Sequence, residues 1–165
     1  MTGRPLIKPS EALVHGCCLT IGDAGVLLLG KPGSGKSDLA LRLIDQPGSG
    51  ISGEQKIARL VADDQVTIHL VEGRLVGSPP AVIAGRMEIR GLGLVNLPNA
   101  AEAVLTLAVR LSARETIERL PEMEKSRFEI LGASLPMILV DANSASAPAR
   151  IRAAVDLLAA RRDGP

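Results

Sequence analysis

The chain has 165 residues, a net charge of +1, two cysteines and one aromatic side chain, Phe128. That length is most simply one domain with a core of its own. The near-neutral charge gives no general pull toward nucleic acid or an anionic membrane, and a lone ring offers no platform for base stacking, so nucleic-acid binding is disfavoured.

Residues 1–10, with two prolines and two basic side chains, read as a loose arm, and residues 11–165 as the folded domain. The arm has no apolar signal-peptide core, and the longest apolar runs, 26–29 and 137–140, are strand-sized rather than membrane-sized. A cytoplasmic protein is expected. Residues 13–21 and 25–29 read as two strands joined at Gly22, Asp23 and Ala24, a hairpin-like signal. Cys17 and Cys18 lie side by side in the first, without a C-x-x-C spacing, which favours small buried side chains over a disulfide or metal site.

The second strand runs into Gly30, Lys31, Pro32, Gly33, Ser34, Gly35, Lys36 and Ser37, which fit G-x-x-x-x-G-K-[ST], and residues 37–44 read as a helix. Strand, glycine loop, helix is the context in which that pattern has physical meaning. The glycines let successive backbone N–H groups turn toward phosphate, and the new helix adds the positive end of its dipole. Lys36 would reach the β- and γ-phosphates and Ser37 would hold Mg²⁺. The ligand this predicts is a nucleoside triphosphate.

Residues 47–53, rich in glycine and serine, read as a mobile loop before a strand at 59–62. Strands at 66–71 and 74–76 flank Glu72-Gly73, a second hairpin signal, and 105–111 is a further strand. Residues 149–161 place Ile151, Ala154, Val155 and Leu158 at helical spacing, with Arg150, Arg152, Arg161 and Arg162 mostly off that stripe. Such a helix packs on the sheet or on a neighbouring subunit. The alternation of strands and helices predicts an α/β fold, a P-loop domain with a mixed sheet.

A P-loop site needs an acidic residue at the end of a second apolar strand. Leu60-Val61-Ala62-Asp63-Asp64 and Met137-Ile138-Leu139-Val140-Asp141 both qualify. Neighbours on a strand point to opposite faces, so Asp63 and Asp64 share a pocket only if the backbone bends there.

His15-Gly16, the glycine loop, the Ala62-Asp63-Asp64 strand end and Met87-Glu88-Ile89-Arg90-Gly91-Leu92-Gly93-Leu94-Val95-Asn96, in this order, resemble the motifs of the HPr kinase/phosphorylase family. E-I-R-G-L-G after an A-D-D strand is the most specific of them. The resemblance spans residues 15–139 and implies a short form, the family's catalytic domain alone. It implies transfer of phosphate from ATP, with Mg²⁺, to a serine of an HPr-like phosphocarrier, and phosphorolysis in reverse. It also implies a homo-oligomer, a hexamer.

The resemblance makes Asp64 the general base for the serine hydroxyl, with Asp63 beside it, and the proton donor in the reverse direction. His15 would orient or tune the aspartate, whereas His69 matches no motif and is structural. Glu88 joins Ser37 as a magnesium ligand, as suits a hard ion. Arg90 would balance its charge, Gly91 and Gly93 would admit phosphate or turn the chain, and Arg119 in Glu118-Arg119-Leu120 would stabilise the moving phosphoryl group.

The chain departs from the family at residues 47–56, a polar surface insertion, and at 140–147, where a basic glycine- and proline-containing loop is replaced by a stretch with no lysine or arginine before Arg150. Kinase activity survives that comparison better than phosphorylase activity. Two other classes stay open: a small-molecule kinase or ATPase using Asp141, and an ATP-sensing module that transfers nothing.

Overall fold

The computed structural model describes residues 10–80 and 84–164; of the expected arm, residues 1–9 lie outside them. A nine-stranded mixed sheet carries two helices, the α/β architecture expected from the strand and helix pattern. At its centre β3 (Ala24–Leu29) and β9 (Ala103–Leu111) run parallel. Gly25 to Leu29 are all buried, the near-continuous apolar run of a strand covered on both faces. Val26 and Leu28 face α1 (Lys36–Asp45) and α2 (Ala147–Arg162), while Leu27 and Leu29 face the second core beneath β5 (Gln65–Val71) and β6 (Arg74–Ser78).

The two hairpins form where turn chemistry marks them. β2 (Cys17–Ile21) and β3 pair antiparallel across Gly22-Asp23, with Gly22 at φ +58°, and β5 and β6 pair across Glu72-Gly73. The strand read over 13–21 is two strands, however. β1 (Glu11–His15) pairs with β5, and β2 with β3 and β4 (Ala58–Ala62), so the chain changes partners at Gly16. A Cβ at Gly16 would stand 2.7 Å from the Leu28 carbonyl oxygen. Only glycine lets the crossover press that closely on β3.

The glycine- and serine-rich loop is not free, as its composition suggested. Asp156, buried on α2, accepts hydrogen bonds from the Ile51 and Ser52 amides and pairs with Lys56. Arg152, read as lying off the apolar stripe, is also buried and donates to the Leu43 and Gln46 carbonyls at the end of α1. Burial alone would raise the Asp156 carboxyl, but the Lys56 and amide hydrogen bonds outweigh it and hold the pKa below its ordinary 3.8. A depressed acid contributes stability above its unfolded pKa and loses it as pH falls through the folded value. Asp156→Ala should therefore cost about 2–4 kcal/mol at neutral pH. In urea titrations the gap from wild type should close as the pH drops below 3.8.

α2 packs on α1 and the sheet, with Ile151, Ala154 and Val155 buried. β11 (Ala133–Val140) extends the sheet on β9, and β10 (Arg127–Ile130) pairs with β11. β7 (Arg86–Ile89) and β8 (Gly93–Asn96) form a separate hairpin, anchored by Met87, which is buried in the same core as Leu39 and Leu43 of α1. The carboxyl ends of β3 and β4 and the amino end of β2 meet at one edge, because β2 runs antiparallel to both. That edge of an α/β sheet is where ligands bind.

Candidate active site

Residues 30–35 form a tight loop between β3 and α1, whose first residues are Lys36 and Ser37. Ser34 N–H donates to the Lys31 carbonyl at 3.0 Å, and Gly33 and Gly35 hold φ of +78° and +97°, which favour glycine. A Cβ on Gly30 would lie 2.5 Å from Ser34 Oγ. Lys36, buried to 7% exposure, donates from Nζ to the Gly30 and Lys31 carbonyls at 2.9 Å each and to Ser34 Oγ at 3.4 Å. The ammonium thus sits within the loop, at the amino end of α1, where backbone donors and the helix dipole favour an anion. Pro32, Gly33, Gly35, Lys36 and Ser37 line one wall of a cleft of about 740 Å³, a volume in the range of small-molecule sites.

The two aspartates after β4 do different things. Asp63 Oδ1 accepts a 2.7 Å hydrogen bond from Ser37 Oγ and a second from the Cys17 thiol at 3.6 Å. Asp64 takes φ of +67°, uncommon for a non-glycine residue, and lies with Oδ1 3.4 Å from Nδ1 of His15. The Gly16 amide holds the Asp64 carbonyl at 3.0 Å. This left-handed residue bends the strand end: Asp64 lines the cleft, while Asp63 is not among its lining residues and meets it through Ser37. Burial pushes the Cys17 thiol up, helped by Asp63, and the Cys18 thiol to about 12, so both are neutral in the physiological range. They are free, buried thiols, as the sequence suggested.

The opposite wall is the β7–β8 hairpin. Met87, Glu88, Ile89, Arg90, Gly91 and Gly93 line the cleft, with Gly91 and Gly93 at φ of +89° and +92°. Among the described residues Glu88 and Arg90 make no ion pair within 4.0 Å, so the charge balance expected between them is not made directly. Arg119 is exposed and does not line the cleft; among the described residues Lys36 and Arg90 are the lysine and arginine that do. Asp141 turns on its own loop, accepting the Asn143 amide at 2.9 Å, while Arg42 of α1 donates to the Ala142 and Ser144 carbonyls beside it. Asp63, by contrast, is bonded to the P-loop serine. His69 pairs with Glu11 across β1 and β5, away from the cleft.

The family model for the HPr Serine kinase C-terminal domain matches residues 8–164. The chain belongs to that family. Its fold is similar to the HPr(Ser) kinase/phosphatase of Coxiella burnetii, with a TM-score of 0.75 and 27% identity over 93% of each chain. An HPr kinase/phosphorylase of Mycoplasma genitalium is 35% identical over 125 residues, 75% of this chain and 37% of that protein. One from Clostridium tetani is 40% identical over 89 residues, 54% of this chain and 26% of that protein. The aligned region is thus well under half of those curated relatives.

For an HPr kinase domain, the missed contacts are as informative as the expected ones. The Ser37–Asp63 bond and the Cys17 donor were not readable from spacing, because they join residues 26 and 46 positions apart. The His15 to Asp64 approach was signalled only by the resemblance. Among the described residues no group of three or more His, Cys, Asp or Glu side chains forms a metal centre alone. The oxygen donors of Ser37, Asp63 and Glu88 suit Mg²⁺, which keeps several waters and shares its shell with phosphates. No helix among the described residues is long and apolar enough to cross a membrane.

Proposed function

We propose that the chain is an ATP- and Mg²⁺-dependent protein serine kinase whose acceptor is an HPr-like phosphocarrier. The observation that carries this reading is the division of labour at the end of β4: Asp63 is bonded to the P-loop serine, and Asp64 stands free of it against His15. The loop amides and Lys36 would bind and orient the triphosphate, while Ser37 and Glu88, with Asp63 behind Ser37, would hold Mg²⁺. Bound there, the ion would neutralise charge on the phosphates. Asp64 takes the proton of the acceptor serine as its oxygen attacks the γ-phosphorus, the bond from that phosphorus to the β–γ bridging oxygen breaks and ADP leaves, and His15 fixes the carboxylate's orientation. Lys36 and Arg90 stabilise charge on the transferring group. The cytoplasmic location and the homo-oligomer, a hexamer, belong to the same reading.

The names of the relatives support the carrier as substrate. The separate roles of Asp63 and Asp64 support transfer over simple ATP sensing. ADP release by the purified protein should depend on an HPr-type carrier and match its phosphorylation mole for mole; release at the same rate without carrier would make it an ATPase instead. Added inorganic phosphate then reports whether the reverse reaction persists.

Arg90 and Arg119 can be separated kinetically. Arg90→Ala should lower kcat about 100-fold, the scale for one transition-state donor, and Arg119→Ala considerably less. Steady-state rates with saturating ATP check the ranking, and the opposite order would return the phosphoryl-stabilising role to Arg119.

A further inference from the structure

Of the two adjacent cysteines, only one touches the site. Cys18 faces the second core, with Leu27 and Val61, whereas Cys17 lies in the first core beside Leu28 and reaches the end of β4. Both are fully buried. The Cys17 thiol donates to the same oxygen of Asp63 that accepts the Ser37 hydroxyl, at 3.6 Å and 2.7 Å. Two donors from different strands and helices thereby converge on Oδ1 of one carboxylate. With Oδ1 held from the core by Cys17 and from α1 by Ser37, rotation of the carboxylate is restricted, and Oδ2 is the oxygen left without either bond.

We propose that Cys17 is a positioning residue for the metal side of the phosphoryl-transfer site, its thiol fixing the Asp63 carboxylate so that the free oxygen meets the Mg²⁺ shell. The role rests on the reading of residues 30–37 and Asp63 as an ATP–Mg²⁺ site. It differs from plain core filling, which a valine of similar size would serve equally well. A thiol is a weak donor, but its acceptor is charged, which strengthens the bond. Among the described residues, losing it leaves Ser37 as the sole side chain bonded to Asp63, and Ser37 would itself be a magnesium ligand.

Calorimetric titration of ATP at graded MgCl₂ separates the two roles, using wild type, Cys17→Val and Cys17→Ser, with thermal unfolding measured on each. Cys17→Val should raise the Mg²⁺ concentration for half-maximal ATP binding about three- to tenfold, leaving ATP affinity in EDTA and the unfolding midpoint unchanged. Cys17→Ser, which restores a donor, should stay close to wild type. Should valine fail to fold there, Cys17→Ala against Cys17→Ser makes the same comparison. A Cys17→Val protein with wild-type Mg²⁺ dependence, or a serine variant as weak as the valine one, would overturn this role alone. A wild type whose ATP binding ignores Mg²⁺ would overturn the role and the site reading together.

Discussion

Asp64→Asn is expected to reduce phosphoryl transfer to a carrier serine by about 10²- to 10⁴-fold, the contribution of a positioned general base. Asparagine is the informative replacement, because position 64 has φ of +67° and asparagine tolerates the left-handed region better than most side chains. Alanine would add backbone strain to the loss of the base. ATP–Mg²⁺ binding should be nearly unchanged, since Asp64 bonds neither the P-loop nor Ser37 among the described contacts. Asp63→Asn should show the complementary defect, with weakened Mg²⁺-dependent binding. Single-turnover rates and calorimetry on the two variants measure these separately. A transfer rate for Asp64→Asn within a few-fold of wild type would remove Asp64 from the base position.

Lys36→Met should be comparably damaging, for a different reason. Lys36 is 7% exposed and its ammonium is bonded to the carbonyls of Gly30 and Lys31, so it is placed inside the glycine loop before any anion arrives. Methionine keeps an unbranched apolar stem and removes the charge and all three donors. The rate should fall about 10³-fold, at the upper end of losing one preorganised electrostatic donor, and ATP affinity should fall with it. On the proposed reading Lys36 would contact phosphate in both ground and transition states, so kcat and KM should both worsen, unlike the Asp64 variant, whose defect should sit in kcat. Circular dichroism would verify that α1 has formed in the variant.

Local chemistry made part of this protein legible from sequence. The apolar run at 25–29, the glycine loop and the following helix announce a strand, a tight turn and a helix, and Gly22-Asp23 and Glu72-Gly73 announce hairpins. What sequence concealed depends on contacts between distant segments. Gly16 looks like an ordinary strand residue until the Leu28 carbonyl is seen 2.7 Å from where its Cβ would be. Arg152 looks like the solvated side of a helix, yet the end of α1 makes a buried partner of it, and Asp156 on the same helix holds amides of the loop at 47–56. Asp63 and Asp141 each end an apolar strand, and on hydrophobicity alone that of Asp141 looks the more ordinary metal-positioning one. In the fold Asp63 bonds Ser37, whereas Asp141 accepts the Asn143 amide of its own turn. The signature at 87–96 was recognisable as a resemblance, but the placement of Arg90 in the cleft and Arg119 outside it came from the fold.

The central claim is that Asp64 and the P-loop serve one reaction, phosphorylation of a carrier serine. Mass spectrometry of an HPr-type carrier incubated with the purified chain and ATP–Mg²⁺ tests it most directly. The account predicts one acid-stable phosphoserine on the carrier, formed by wild type and absent on the same timescale with Asp64→Asn. A carrier that stays unmodified while wild type binds ATP–Mg²⁺, or phosphoserine formed equally fast by Asp64→Asn, would contradict it.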